Sequence, residues 1–384
     1  MLDIVSLEPL LRTPLYDIHS QNAAKFVPFA GYEMPIQYQA GVMQEHRHTR
    51  TAAGLFDVSH MGQIALRPLN GESLESVALA LEALVPMDIV GLPVGRQRYA
   101  VFTNDRGGIL DDLMVSNFGD HLVLVVNAAR KQADIAHLQT HLADRCKIEI
   151  LADRALIALQ GPLAESVLVN LIPAVSDMRF MDVRTFDFQG SEGMISRSGY
   201  TGSDGFEISI VEDHAAVLVN LLLENPAVAP IGLGARDCLR LEAGMCLYGA
   251  DIDETTTPIE AGLDWAIQES RRSGGVREGG FPGANIILLQ LNLGAPRLRV
   301  GLLPEQRVPF RDGTPLFVDE HSTISIGMVT SGGFGPSLDR PIAMGYLPRN
   351  FATPGRELFG EVRGKRLPVR VATLPFITTT YKRT

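Results

Sequence analysis

The sequence predicts an α+β protein of more than one domain that ends in a small closed β domain, and three observations predict it. The chain has 384 residues, more than a single hydrophobic core usually serves, so two or three domains of roughly 100 to 200 residues are expected. Up to about residue 250, short apolar strands are interleaved with amphipathic helical stretches. After Ala295 the chain is rich in Gly, Pro and Val and carries short strands only. With 46% hydrophobic and 20% charged residues, the composition is that of a globular protein that folds throughout.

In chain order, a short helix is expected around Asp17 to Phe26, followed by the Pro- and Gly-punctuated stretch VPFAGYEMPIQY, whose aromatics must pack on something. A second helix covers Val42 to Ala53. From Gly62 the pattern turns to strands, QIALRPL, RYAVFTN, GILDDLMVSNF and HLVLVVN, with a helix near Gly71 to Leu84 and another after Ala128. IEILADRALIALQGP opens a second α+β unit with a helix at Leu163 to Leu171. There GMISRSG and FEISIV form a hairpin through the turn-rich YTGSDG, and helices follow at His214 to Glu224 and Ala235 to Gly244. The Gly-rich segment GGVREGGFPG, Gly274 to Gly283, reads as a loop or linker. RVGLLPE, GTPLFV, ISIGMVT, IAMGYLP and ELFGEVRGKRLPVRVATLPF then supply the five or six strands of the closed β domain.

A formal net charge of −10 excludes a broad phosphate-neutralising footprint for nucleic acid. Arg271 with Arg272, and Arg363 to Arg366 with Lys365, are short basic runs typical of solvated loops. Cys146, Cys238 and Cys246 are the only cysteines; without CxxC spacing they indicate neither a disulfide framework nor a zinc site, which fits a reducing compartment. The start, MLDIVSLEPLLRTPLYD, has no basic, apolar, small-residue order of a signal peptide and is acidic where a transit peptide would be Arg- and Ser-rich, so a cytoplasmic protein is expected. No uncharged apolar run of about 18 residues occurs, which argues against a helical membrane span.

Most chemical motifs fail on spacing. GEVRGK at Gly360 to Lys365 is not a phosphate-binding loop, and GLGARD at Gly232 lacks the βαβ context of a dinucleotide fingerprint, so ATP and NAD chemistry are disfavoured. His46 and His48 stand two apart on a helix and point to different sides, so with His60 they read as satisfied structural histidines rather than metal ligands. No GxSxG context occurs, and GGFGPS at Gly332 reads as a β-domain turn. The aspartate pair in GGILDDLMV survives this sieve. Aspartate is disfavoured in strands and costly to bury as a charge. Successive strand residues face opposite sides, so only one of Asp111 and Asp112 can look into a given cleft. Glu207 alternates with Phe206, Ile208 and Ile210 and so lies on the polar face with Ser209, a solvent-facing position by pattern alone. Arg236 on its helix reads as a surface charge, and Trp265, the only tryptophan, as core.

Several stretches resemble the aminomethyltransferases of the glycine cleavage system, the T-proteins: TPLYDIHSQNAAKFVPFAGYEMPIQY, HTRTAAGLFDVSHMGQ, FTNDRGGILDDLMV, ALQGP, SGYTGSDGFEIS, GLGARDCLRLEAGMCLYGADIDETTTPIEAGLDW, TSGGFGPSLDRPIAMGY and PFITTTY. They run in order over nearly the whole chain. The resemblance implies an α+β, three-domain cloverleaf of mixed α/β units around a central folate cleft, with a small C-terminal β-barrel domain. It divides the chain into residues 1–55 with 153–250, residues 56–152 with 251–290 carrying the catalytic aspartate, and the barrel at 295–384. The implied co-substrate is tetrahydrofolate, and the implied partner is the lipoylated H-protein. The implied reaction releases ammonia from the aminomethyl group on the lipoyl sulfur and passes the methylene to the folate. No nucleic-acid or membrane partner is implied.

By the same resemblance Asp112 is the catalytic carboxylate next to the folate's reacting nitrogens, and Asp111 faces elsewhere. Glu207 would accept hydrogen bonds from the pterin. Arg236 corresponds to a folate-site arginine, Trp265 to an aromatic wall, Tyr99, Tyr200 and Tyr381 to the pocket lining, and Asn127 to a neighbour of the ligand. Met61 is either a ligand contact or packing. Two departures stand out: the basic, irregular linker after Trp265, and Tyr32 where the family often shows Trp. An acidic H-protein would also need a local basic patch on this acidic chain. Two rivals share the fold. A tetrahydrofolate-dependent demethylase would alter the substrate entrance, against which DIDETTTPIEAGLDW counts. A folate-binding protein of iron–sulfur assembly would carry a KGC-x-GQE segment, where this chain reads TPIEAG.

Overall fold

The structure, a computed structural model, describes residues 9–384; the first eight residues of the N-terminal stretch discussed above lie outside that range. Two sheets and a barrel organise the chain. The first sheet has six strands in the order Val183–Phe188, Ser191–Ser196, Gly205–Val211, Arg154–Gln160, Ala53–Asp57, Val228–Pro230, and only the last pair is parallel. Ile157, Leu159, Phe206, Ile208 and Ile210 on one face are fully buried under the helix Glu212–Leu223. The second sheet has five antiparallel strands in the order Arg96–Thr103, Ile109–Asn117, Leu122–Val126, Gly62–Pro68, Cys146–Ile150. Its core joins the helices Leu74–Glu82, Lys131–Leu142 and Ala284–Leu293 to residues of the 246–267 segment. The third unit is a closed barrel ordered Arg297–Pro304, Arg340–Pro348, Gly327–Gly335, Pro315–Phe317, Glu357–Val362, Lys365–Ala372. The α+β class and the terminal barrel expected from the sequence are therefore present.

Differences are local and have physical causes. The first helix spans only Tyr16–Gln21: Ala23 takes a left-handed conformation, φ 54°, and the chain turns into a hairpin, Lys25–Phe29 with Tyr32–Gln37. The helix expected at Leu163 to Leu171 is the shorter Ala164–Leu168. The helix Ala284–Leu293 was not anticipated, because ANIILLQLNL is apolar on most sides and shows little 3.6-residue contrast. The glycines of GGFG do not form a turn. They lie inside the strand Gly327–Gly335, where a Cβ on Gly332 would come within 1.9 Å of the Phe310 carbonyl oxygen.

Arg197, 1% exposed, ties the chain's end to the first unit. Its Nε donates to Asp204 Oδ1 at 3.1 Å and its Nη1 to the Met178 carbonyl at 2.9 Å. Its Nη2 reaches Glu165 at 2.5 Å, and Lys382 Nζ meets the same carboxylate at 3.0 Å. Removing one partner from a buried ionic cluster leaves the others uncompensated. Arg197→Met is therefore expected to lower stability by about 3 kcal/mol, measured as a drop in urea midpoint at constant m-value; a midpoint equal to the parent's would refute the role.

Candidate active site

The strand Ile109–Asn117 alternates strictly at its start: Ile109, Asp111, Leu113 and Val115 are buried, and Leu110, Asp112 and Met114 keep partial exposure. Two carboxylates therefore leave one strand in opposite directions, Asp111 into the core of the second unit and Asp112 into the cleft between units. The preceding glycines let another segment close over this strand. A Cβ on Gly108 would lie 1.9 Å from the Glu254 carbonyl oxygen, and the Ile109 amide donates to the carbonyls of Asp253 and Thr256, each at 3.0 Å. The GGILDD and DIDETT stretches are thus two sides of one contact.

Asn127, just past the strand Leu122–Val126, bridges the pair. Its Nδ2 donates to Asp112 Oδ1 at 2.7 Å and to Asp111 Oδ1 at 2.9 Å, and its backbone amide donates to Asp111 Oδ2 at 3.1 Å. Tyr99 Oη donates to Asp112 Oδ2 at 3.2 Å. Asp112 keeps a little accessible surface because it faces the cleft, yet it lies deep. Burial, then the charge of Asp111, raise its pKa to about 7, against the opposing hydrogen bonds from Asn127 and Tyr99. Behind it, Asp134 on the helix Lys131–Leu142 is 2% exposed and hydrogen-bonded to Asp111. Two buried carboxylates in contact cannot both ionise. Burial, then the contact with and charge of Asp111, push the pKa of Asp134 up, and burial raises that of Asp111 as well.

Across the cleft, Glu207 sits on the strand Gly205–Val211. The solvent-facing reading of its strand face is wrong. Ser209 on the same face is 5% exposed and donates to Gln63 Oε1, because the polar face of the first sheet turns toward the second unit. Glu207 itself is half-buried and accepts from Ser198 Oγ at 3.0 Å. Burial raises its pKa, and the charge of Arg236 opposes that shift. Arg236, on the helix Leu233–Glu242, is not a plain surface charge. Its guanidinium stands 4.9 Å from the Tyr200 ring centroid, its Nη1 is buried without an acceptor, and burial lowers its pKa. Tyr200 lies between the two halves: it feels the charge of Asp112 and of Arg236, and its hydroxyl donates to the Cys246 carbonyl.

Trp265 is 61% exposed, not core, and stacks on Tyr99 with centroids 5.6 Å apart. Both line a cavity of about 590 Å³ together with Phe180, on which Tyr381 stacks at 4.0 Å. Asp112, Asn127, Tyr99, Tyr200, Arg236 and Glu207 are thus successive neighbours in space, with Trp265 stacked on Tyr99. Tyr381 does not line the cavity but touches its wall through Phe180 and Arg383. Met61 is half-buried and packs on Phe56, Val58 and their neighbours. His46 pairs with Glu242 at 3.0 Å, and His48 meets backbone carbonyls.

One residue of this neighbourhood escaped the sequence reading, and another was misread. Asp134 shares its helix face with the buried Ile135, Leu138 and Leu142, and a carboxylate on an apolar stripe was the available signal. His60, read above as satisfied, is not: it is 4% exposed with Nδ1 unpartnered, and burial pushes its pKa down to about 4, so it is neutral at pH 7.

Comparison with known proteins covers the whole of this architecture. Residues 15–271 match the family model described as the GCVT N-terminal domain, and residues 297–377 match the glycine cleavage T-protein C-terminal barrel domain. The chain is 41% identical over 395 residues to the mitochondrial aminomethyltransferase of Dictyostelium discoideum, covering 98% of this chain and 95% of the relative. It is 42% identical to that of Mus musculus, covering 97% and 91%. The crystal structure of glycine cleavage system aminomethyltransferase T from Bartonella henselae superposes with a TM-score of 0.89 at 43% identity, covering 98% of this chain and 100% of that one.

The position of Asp112 has a measurable cost. Its folded pKa of about 7 lies above the ordinary value of 3.8, so ionising it penalises the folded state fully above pH 7. The penalty fades as pH falls from 7 toward 4, where the group is protonated in both states. Asp112→Asn, which carries no charge, is expected to be more stable than the parent by on the order of 2 kcal/mol at pH 8, with the gap closing near pH 4. Thermal unfolding across that range checks it, and equal stability at pH 8 would refute the buried-charge reading.

Proposed function

This chain belongs to the glycine cleavage T-protein family, the aminomethyltransferases, and from that premise we propose that its cleft takes tetrahydrofolate as co-substrate and the aminomethylated lipoyl arm of a separate H-protein as donor. The aminomethyltransferase activity itself is that of the family. The observation that carries the proposal for folate is that Glu207 and Arg236 lie near enough to feel each other's charge without bonding to one another. The carboxylate has one side-chain donor and the guanidinium's buried Nη1 has no acceptor, so both keep hydrogen-bonding capacity for a ligand. A pterin offers adjacent N–H donors to the first and a carbonyl to the second.

Tetrahydrofolate would supply the nitrogens that take up the methylene; the chain's own residues would do the rest. Asp112, fixed by Tyr99 and Asn127, holds a negative charge where the transferring methylene becomes electron-poor as the amine departs. Its pKa of about 7 also lets it exchange a proton near neutrality. Tyr200 and Trp265 supply aromatic faces that orient the ligand and exclude water. The helix Leu233–Glu242 sets Arg236 at one end of this arrangement. TPIEAG stands where an iron–sulfur assembly relative would carry its cysteine, and DIDETT encloses the Asp112 strand, so the demethylase and binding-module readings gain no support. Among the described residues no helix is long and apolar enough to cross a membrane. The three unpaired cysteines support a reducing, cytoplasmic setting, while the eukaryotic relatives are named as mitochondrial.

The test mixes the purified protein with aminomethylated H-protein, with and without tetrahydrofolate, and follows ammonia. Fast folate-dependent release is expected; folate binding without release would return the demethylase reading. Asp112→Asn should lose about 100-fold or more in rate and also the acid limb expected near pH 7; retained activity would remove Asp112 from the chemistry. Glu207→Ala should weaken tetrahydrofolate binding by about 10- to 100-fold, and an unchanged dissociation constant would take Glu207 out of the site.

A further inference from the structure

A row of hydrogen bonds runs from Asp112 back into the core of the second unit. Asn127 Nδ2 donates to Asp112 Oδ1 at 2.7 Å and to Asp111 Oδ1 at 2.9 Å, and the Asn127 backbone amide donates to Asp111 Oδ2 at 3.1 Å. Both oxygens of Asp111, which is fully buried, thus accept from one asparagine. Asp111 also meets Asp134, 2% exposed on the helix Lys131–Leu142, and the two carboxyls are hydrogen-bonded to each other. An ionised carboxylate only accepts, so this bond needs one proton for the pair. Arg130, whose charge Asp134 feels, supplies no bond in its place, because it is turned to Glu254 at 3.2 Å.

Asp134 is expensive where it stands. It shares an otherwise apolar helix stripe with Ile135, Leu138 and Leu142, and its Oδ2 is buried without a partner, so a leucine there would spare the cost of burying a polar group. What a leucine lacks is the bond to Asp111. That bond matters because the Asn127 amide has a choice of acceptors: besides the two carboxylate oxygens it reaches the Asp112 carbonyl at 3.0 Å. An Asp111 held in place keeps one Nδ2 proton on itself and leaves the other for Asp112. We infer that Asp134 is a positioning residue for the reaction, holding Asp111 and through it Asn127, so that the Asn127 amide keeps the Asp112 carboxylate aimed into the cleft. The inference rests on the reading of Asp112 given above and extends it to a side chain buried behind the strand.

Asp134→Leu, Asp134→Asn and Asp112→Asn are compared by ammonia release from aminomethylated H-protein with tetrahydrofolate. Asp134→Leu removes the bond and should lower kcat by about tenfold, with KM for both substrates within about twofold of the parent's. Asp134→Asn presents an N–H to Asp111 and should keep kcat within about threefold of the parent's. In protein already carrying Asp112→Asn, the leucine substitution should cost less than about twofold, because nothing is left to position. The charged and titratable groups around the row are Arg130 and Tyr248 beside the carboxyl pair, and Tyr99, Tyr200 and Cys246 beside Asp112. Burial pushes Tyr248 and Cys246 up to about 12 and raises both cleft tyrosines, so below that range the alkaline change belongs to the pair. The parent's kcat should therefore fall in alkali as the shared proton is lost, and that of Asp134→Asn, which has no such proton, should not.

An unchanged kcat in Asp134→Leu, a tenfold loss in Asp134→Asn, a loss that persists in full on Asp112→Asn, or the same alkaline fall in parent and Asp134→Asn each overturns the inference. If Asp134→Leu does not fold, Asp134→Ala replaces it, and the alkaline comparison, which needs only the parent and the isosteric asparagine variant, decides alone. If the parent releases no ammonia, or Asp112→Asn keeps the parent's rate, the reading of Asp112 has failed by itself, and unfolding decides whether the row is coupled. Without Asp134 the buried Asp111 takes up a proton and no longer opposes ionisation of Asp112. The gain in unfolding temperature from Asp112→Asn at pH 8 should then be smaller in the Asp134→Leu background by about a third or more; an equal gain in both backgrounds overturns the inference.

Discussion

The buried charges of the helix Leu233–Glu242, Arg240 and Glu242, must both find partners where the helix packs between the hairpin side and the barrel, and the way the units meet depends on that constraint. Arg240, 3% exposed, reaches Asp251 at 2.7 Å and Ser331 of the barrel at 2.9 Å. Glu242, fully buried, meets His46 at 3.0 Å, Arg50 at 3.1 Å and Ser337 at 2.7 Å. Each unpaired charge would carry a desolvation penalty of several kcal/mol, so these bonds hold the hairpin side, the first sheet and the barrel in one relative position. Arg236 lies one turn before Arg240 on the same helix, and the bonds that fix Arg240 and Glu242 therefore also aim Arg236 at the cleft.

The cleft leaves polar groups and charges unmet. Arg236 Nη1 and His60 Nδ1 are buried without partners, and burial raises the pKa of Asp112, Asp111 and Asp134 alike. Each of these weakens the folded state, and they add to unmet polar atoms elsewhere, at His46 and Arg50 among others. Locally unsatisfied polarity of this kind is characteristic of sites kept for a ligand rather than for stability. Asn127 limits the damage. By binding both aspartates of the pair it lets one strand carry a carboxylate to the core and another to the cleft without the two repelling freely.

Legibility followed the range of the physics. The second sheet's strands could be read because alternation and continuous apolar runs are local. The barrel could be read because short strands divided by Gly and Pro leave few other ways to close. That only one of Asp111 and Asp112 faces the cleft also followed from strand geometry alone. Glu207 could not be read that way, because the same alternation describes a polar face whether water or a second sheet covers it. Trp265 failed in the other direction: an aromatic side chain prefers burial, and here it stays 61% exposed at the mouth of a cavity. The helix Ala284–Leu293 was hidden by having too little polar contrast to show a period.

What the sequence by itself determined is therefore the local grammar and the family: element types, the opposed aspartates, and motifs in an order that the glycine cleavage T-proteins share. What only the tertiary structure decided is which charges face one another. Asp134 meets Asp111, Glu207 faces Arg236, and four arginines from segments as distant as Arg96 and Arg383 line one cavity in an acidic protein. The physical reason is that burial and Coulombic interaction depend on distance through space, and the chain brings those groups together only when its three units close.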